Sequence, residues 1–208
     1  MAIAYPLTFP SHTGIRGVSL RAINSVAYDR SPFTFAGQAQ ANAGQMWAAD
    51  VTLPPMKYAD AERWIAWLIS LRGQFGTFNM GDPARAVARG TARGTDTVTV
   101  NGAGQTGQDL NITSDQLSET GYLLAGDYIQ IGSGSTATLH KVLVDADTDA
   151  SGDATLTLWP SVRTAPTDGA AVVVQSAVGR WRLAGNETEW SVNEAMIYGL
   201  SFSAMEAV

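Results

Sequence analysis

The clearest hydrophobic pattern in the chain has a helical period. In residues 59–73 (ADAERWIAWLISLRG), Trp64, Trp67, Leu68 and Leu71 recur at i, i+3, i+4 and i+7, which gathers them on one face of an α-helix. Asp60 suits an N-cap, Arg72 complements the negative C-terminal end of the helix dipole, and Gly73 suits the left-handed residue that closes a helix. The spacing predicts a helix over about residues 60–72 with those four side chains in the core. Core packing therefore accounts for Trp64 and Trp67 better than sugar stacking does.

Elsewhere the period is two. Residues 19–28 (SLRAINSVAY) alternate as a half-buried strand, Asp29-Arg30-Ser31-Pro32 reads as a turn, and residues 33–35 return as a hairpin. Residues 45–53 predict a third strand, stopped by Pro54-Pro55 because proline lacks the N–H that a ladder needs. Residues 75–80 predict a strand ended by Gly81-Asp82-Pro83, and the small, basic, Gly-containing residues 84–94 read as a connector. Short strand candidates follow at 97–100, 128–131, 138–144, 154–159 and 171–174, the spacing of a small antiparallel barrel or sandwich. Residues 180–183 and 188–192 flank a turn as a further hairpin, and residues 197–204 alternate again. Both chain ends supply strands, so the expected fold is mainly β: a β-sandwich or split barrel with one flanking helix, carrying an inserted small β-barrel or sandwich.

Charge sharpens the division. Residues 1–90 hold 8 basic and 5 acidic residues, residues 91–175 hold 3 and 10, and residues 176–208 hold 2 and 4. This predicts a scaffold from residues 1–90 plus 176–208 and an inserted acidic β-rich domain at 91–175. The net charge of −6 and the absence of a basic run argue against specific nucleic-acid binding. The longest apolar run, residues 64–71, falls far short of the ~20 that span a bilayer, and the opening MAIAYPLTFP lacks the features of a secretory signal. The expectation is a soluble chain made in the cytoplasm, without membrane insertion.

Candidate chemistry is sparse. With no cysteine among 208 residues, thiolate metal sites, disulfides and cysteine nucleophiles are excluded, and only His12 and His140 supply imidazole. Gly102-Ala103-Gly104-Gln105-Thr106-Gly107 matches the dinucleotide fingerprint, with Asp127 twenty residues beyond. The fingerprint works only where the third glycine enters a helix within a βαβ unit, and residues 108–113 (QDLNIT) have no helical face. Asp145, Asp147, Asp149 and Asp153 resemble the start of a calcium loop, but Ala150 and Leu156 occupy the positions that need Gly and Glu. His140 lies inside a strand pattern, His12 in a loop without a nucleophile-elbow motif, and Glu187 and Glu189 beside a hairpin turn. No catalytic, cofactor or metal site is assigned. Trp159 and Trp181, at strand ends, are the freer aromatic side chains.

The ordered motifs resemble the distal tail proteins of long-tailed bacteriophages and prophages. The resemblance rests on Trp64-Ile65-Ala66-Trp67-Leu68-Ile69-Ser70-Leu71-Arg72-Gly73-Gln74-Phe75-Gly76-Thr77-Phe78 with Gly81-Asp82-Pro83. It continues in Ala125-Gly126-Asp127-Tyr128-Ile129-Gln130-Ile131-Gly132, in His140-Lys141-Val142-Leu143 and in Leu158-Trp159-Pro160-Ser161-Val162-Arg163-Thr164-Ala165-Pro166. It covers residues 60 to 166, with the terminal strands consistent in position.

The resemblance implies a tail-tube-like scaffold, a hexameric ring at the tail tip of the virion, and as partners further copies of the chain, a tail tube protein and a hub or baseplate protein. Side fibres or host-surface glycans are further implied contacts. A chain with only 15% charged residues and 21 glycines suits a surface covered by neighbours, and acidic or neutral lumen residues would keep passing DNA from sticking. Two rivals stand beside this expectation: a tail-associated carbohydrate-binding module using Trp159, Tyr122 or Tyr128, and, third, a cell-wall or glycan hydrolase.

Overall fold

The computed structural model describes residues 3–10 and 14–208, so His12 lies outside the described residues. The chain is mainly β with one α-helix among the described residues.

β1 (Gly17–Arg30) and β2 (Gly37–Thr52) form one long antiparallel hairpin, in register from Gly17 opposite Thr52 to Arg30 opposite Gly37, with a shift between Asn24 and Val26. This corrects the expected strand at 33–35. Those residues belong to the turn, which is closed by the Ser31 N–H donating to Ala36 O, with Phe35 at φ 57°. The expected third strand at 45–53 is the base of β2. Residues 37–44 (GQAQANAG) are poor strand formers by composition; residues 37–41 extend because β1 offers them a ladder, and residues 42–44 bulge where the register shifts.

α1 (Tyr58–Ser70) buries Ala61, Trp64, Ile65, Trp67 and Leu68, and Leu71 follows as its buried C-cap. It starts earlier than expected. Lys57 is the N-cap without a side-chain cap bond, so Asp60 sits in the first turn, where it complements the dipole. The expected helix end is corrected: Arg72 at φ 54° takes the left-handed position just past the Leu71 C-cap, with Gly73 at φ 64° after it, so Arg72 lies beyond the last turn, which holds no basic residue. The next turn is tight: the Gly76 N–H donates to Leu71 O at 2.7 Å, and a Cβ on Gly76 would lie 2.7 Å from that same oxygen. Phe75 is therefore left exposed, and β3 (Phe78–Met80) is shorter than the 75–80 expected.

Next come β4 (Val98–Val100), β5 (Gly107–Ser114), β6 (Tyr128–Ile131), β7 (Thr138–Val142), β8 (Asp153–Val162) and β9 (Val172–Val173). They form a sheet in the order β4-β5-β8-β7-β6-β9. A bridge between Thr99 and Ala171 nearly closes it into a barrel. β5 went unread in the sequence, although Leu110, Ile112 and Ser114 point inward at period two. β8 runs through Pro160 to Val162, three residues past its expected end.

The chain then returns to the first sheet with β10 (Gly179–Leu183), β11 (Trp190–Val192) and β12 (Tyr198–Glu206). That sheet runs β1-β2-β12-β10-β3, and β11 also pairs with β12. The expected hairpin between 180–183 and 188–192 does not form. β10 pairs with β12 and β3, and the true hairpin is β11–β12.

Two cores result. One joins α1 to the first sheet through Trp64, Leu68, Leu71, Phe78 and Trp181, and the other fills the barrel with Leu110, Ile112, Ile129, Leu156 and Leu158. Trp181, expected to be free, is 0% exposed and donates its indole N–H to Met80 O.

Candidate functional site

The feature without an internal structural purpose is the outer half of the β1–β2 hairpin. Residues 21–44 are exposed throughout except for Ser31 and lie beyond both cores. At about 3.4 Å per residue, the stretch from Ala22 to Arg30 projects roughly 27 Å. A free two-stranded ribbon is marginal in water, so an arm of this length implies a cover.

Register shows which face needs covering. At the base, Val18 and Leu20 pack on the core beside Ala49 and Val51. Alternation carries that same face outward through Val26 and Tyr28 on β1 and their partners Ala41 and Ala39 on β2. The opposite face is mostly polar, carrying Ser25, Asp29, Gln38, Gln40 and Asn42 beside Ile23 and Ala27, with the Asn42 amide donating to the Ser25 hydroxyl. The tyrosine ring needs a bare neighbour, since a Cβ on Gly37 would lie 2.4 Å from the Tyr28 hydroxyl. At the tip Phe33 is 92% exposed and Phe35 66%, with the Arg30 guanidinium 4.3 Å from the Phe35 ring centre. The arm is thus amphipathic, and its apolar side faces solvent.

The barrel grips the root of this arm. The Trp159 indole N–H donates to Asn24 Oδ1 (2.7 Å), and the Ser161 N–H donates to Gln45 Oε1 (2.7 Å). Trp47 meets Trp159 edge to face at 4.5 Å and donates its own indole N–H to Leu139 O. Arg163 donates to Gln45 O and pairs with Glu206, whose other oxygen accepts the Trp47 N–H at 3.0 Å. Burial pushes the Glu206 carboxyl above its ordinary range, while the Trp47 N–H and the Arg163 guanidinium pull it back. Of the motif residues, Trp159 and Arg163 therefore build a junction, and Pro160 supplies a carbonyl to His140.

These positions remove the aromatic side chains named for glycan stacking. Tyr122 is 0% exposed, its hydroxyl accepts from Ser114, and burial raises it to about 12. Tyr128 is buried beneath Lys141, whose Nζ lies 4.5 Å from the ring centre, and burial raises it likewise to about 12. Trp159 is committed to Trp47 and Asn24.

The remaining candidates hold turns. Gly102–Gly107 leads into strand β5, where the nucleotide fingerprint requires a helix, and the Gly102 N–H donates to Asp168. Asp127 is buried and accepts the backbone N–H groups of Arg89, Gly90 and Leu124, tying the connector to the barrel beside Gly126 at φ 101°. Asp127→Ala should therefore cost about 2–3 kcal/mol, read by urea unfolding, because three backbone donors, one buried and two part-buried, lose their carboxylate acceptor.

Asp145, Asp147 and Asp149 accept backbone N–H groups of Ala125, Gly121 and Ser151, and Asp153 accepts the Thr113 hydroxyl. Among the described residues no three His, Asp or Glu side chains converge as a metal site. Glu187 and Glu189 line a concavity of about 460 Å³ with Asp50. Gly81 lies against Ala177 O, where a Cβ would approach to 2.0 Å, and Asp82 caps the Ala84 N–H before the exposed Pro83.

His140 is 2% exposed, with Nδ1 2.6 Å from Pro160 O and Nε2 3.0 Å from the Thr138 hydroxyl. Burial lowers it to about 4, opposed by the Pro160 carbonyl and assisted by Arg163. Its folded value lies below the unfolded one, so the unfolded chain binds more protons between them. Stability should be fully present above about pH 6.5 and fall by about 3 kcal/mol toward pH 4. Denaturant titrations of wild type and His140→Gln across that window check this, the variant losing the slope.

The arm was the part that sequence reasoning missed. Its signal was the alternation of Ala39 and Ala41, which gains meaning only opposite Tyr28 and Val26. No protein-family model and no curated protein matches this chain.

Proposed function

We propose that the chain is a structural ring subunit of a phage tail tip, of the distal tail type, joining the tail tube to the hub or baseplate and acting without enzymatic chemistry. The observation that carries this reading is the arm: an amphipathic hairpin held rigidly at its root, with its apolar face uncovered. A ring subunit needs such a surface, because a head-to-tail contact joins one patch to a different patch on the next copy and closes when the rotation allows. The motif resemblance supports the tail-tip assignment and a hexamer. The carbohydrate-binding reading loses support, since Tyr122 and Tyr128 are buried and Trp159 is engaged at the junction.

The test is location. Gold-labelled antibody against this chain should mark the tail end distal to the capsid on particles made from the genome that encodes it. Label on the capsid, or particles without label, would overturn the assignment.

A further inference from the structure

Strand register separates two uncovered apolar surfaces to opposite ends of the same sheet. β2 runs from the arm tip at Gly37 to its base at Thr52, and β12 runs antiparallel to it, with Ser201 opposite Thr52 and Met205 opposite Ala48. The start of β12, and β11 paired to it with Val192 opposite Tyr198, therefore lie at the end remote from the arm tip. Trp190, Val192 and Met196 are exposed there, beside the exposed Tyr58 of α1, whose ring centre is 6.2 Å from that of Tyr198. Nearby charges are Glu187, Glu189 and Glu194, with Lys57 on the helix side. The ion pairs among the described residues are Arg21–Asp50 and Arg163–Glu206, so these three carboxylates have no ion-pair partner among the described residues.

We propose that this patch is the acceptor for the arm tip of a second copy, with Phe33 and Phe35 packing on Trp190, Val192, Met196 and Tyr58 and Arg30 facing the glutamates. The proposal rests on the ring reading and names the surface that reading requires. Two facts favour a second copy as the occupant. Donor and acceptor lie at opposite ends of one sheet, so a chain cannot satisfy itself, whereas successive copies can join head to tail. The tip presents Arg30 on an aromatic surface and the acceptor presents carboxylates beside one, which is complementary in both charge and character.

The chain contains no cysteine, so engineered pairs report directly. Carrying Phe33→Cys and Met196→Cys together, the oxidised protein should form a ladder of covalent multimers, whereas each single variant stops at dimers. Arg30→Glu, and Glu189→Lys with Glu194→Lys, should each raise the concentration for half-assembly at least about tenfold, and their combination should restore it. If the wild type assembles but no ladder forms and the reversals do not compensate, the acceptor lies elsewhere and the ring reading stands. If the wild type is monomeric at every concentration, the ring reading fails and the acceptor with it.

Discussion

Excising the arm should abolish assembly and leave a folded monomer. The cleanest variant joins Asn24 to Gln45, which face each other across the ladder, through an Asn-Gly turn of the type that closes two-residue hairpins. It keeps the root contacts from Asn24 to Trp159 and from Gln45 to Ser161 and Arg163, and it touches neither core. What it removes is Val26, Tyr28, Phe33 and Phe35, each worth about 1.5–3 kcal/mol when buried against a neighbour. Association also carries a cost of several kcal/mol in lost rigid-body freedom, so losing those anchors should drop assembly below detection. The thermal midpoint of the monomer should stay near that of the intact monomer. Light scattering and thermal unfolding on the same samples check both halves, and a variant that still assembles would remove the arm from the account.

Arg163→Met should cost about 3–5 kcal/mol, the effect of leaving a buried charge without its partner. Glu206 has 4% of its side chain exposed and sits on the last strand of the first sheet, while Arg163 follows β8 of the barrel. With the guanidinium gone, the carboxylate keeps only the Trp47 N–H, and its already raised pKa should climb further. A carboxyl whose folded value lies above the unfolded one binds protons more readily when folded, so Arg163→Met should regain stability as pH falls through the folded value. That trend opposes the His140 slope and identifies Glu206 as its source. Replacing both partners, Arg163→Met with Glu206→Leu, should return most of the loss, because an apolar pair removes the desolvation penalty together with the attraction. Urea unfolding at several pH values checks all three.

The legible parts of this chain were those whose partners are local. The helical stripe of Trp64, Trp67, Leu68 and Leu71 fixes its own face within two turns, and all four side chains are buried. The helix end could be placed to within about two residues, although Arg72 rather than Gly73 takes the first left-handed position past it. The mainly β architecture with one helix also followed from short-range periods. Strand partners were less legible, because pairing is decided at long range. β12 was expected as an alternating strand, but nothing in residues 180–192 says that β10 and β11 would both pair with it.

The arm was hidden for a related reason. Residues 37–44 are small and polar, and without β1 opposite them they carry no strand signal. Arg163, Trp159 and Asp127 stood out as motif positions, but their partners Glu206, Asn24 and Arg89 lie 43, 135 and 38 residues away. No local pattern joins them.

The central claim is that copies of this chain cover one another's arms in a closed ring. Native mass spectrometry of the intact wild-type protein over a concentration series tests it most directly. The account predicts a single closed species of about six 22.0 kDa chains, appearing cooperatively from monomer with few intermediates. A protein that stays at 22.0 kDa across the series, or that grows into open chains of unlimited length, would contradict it.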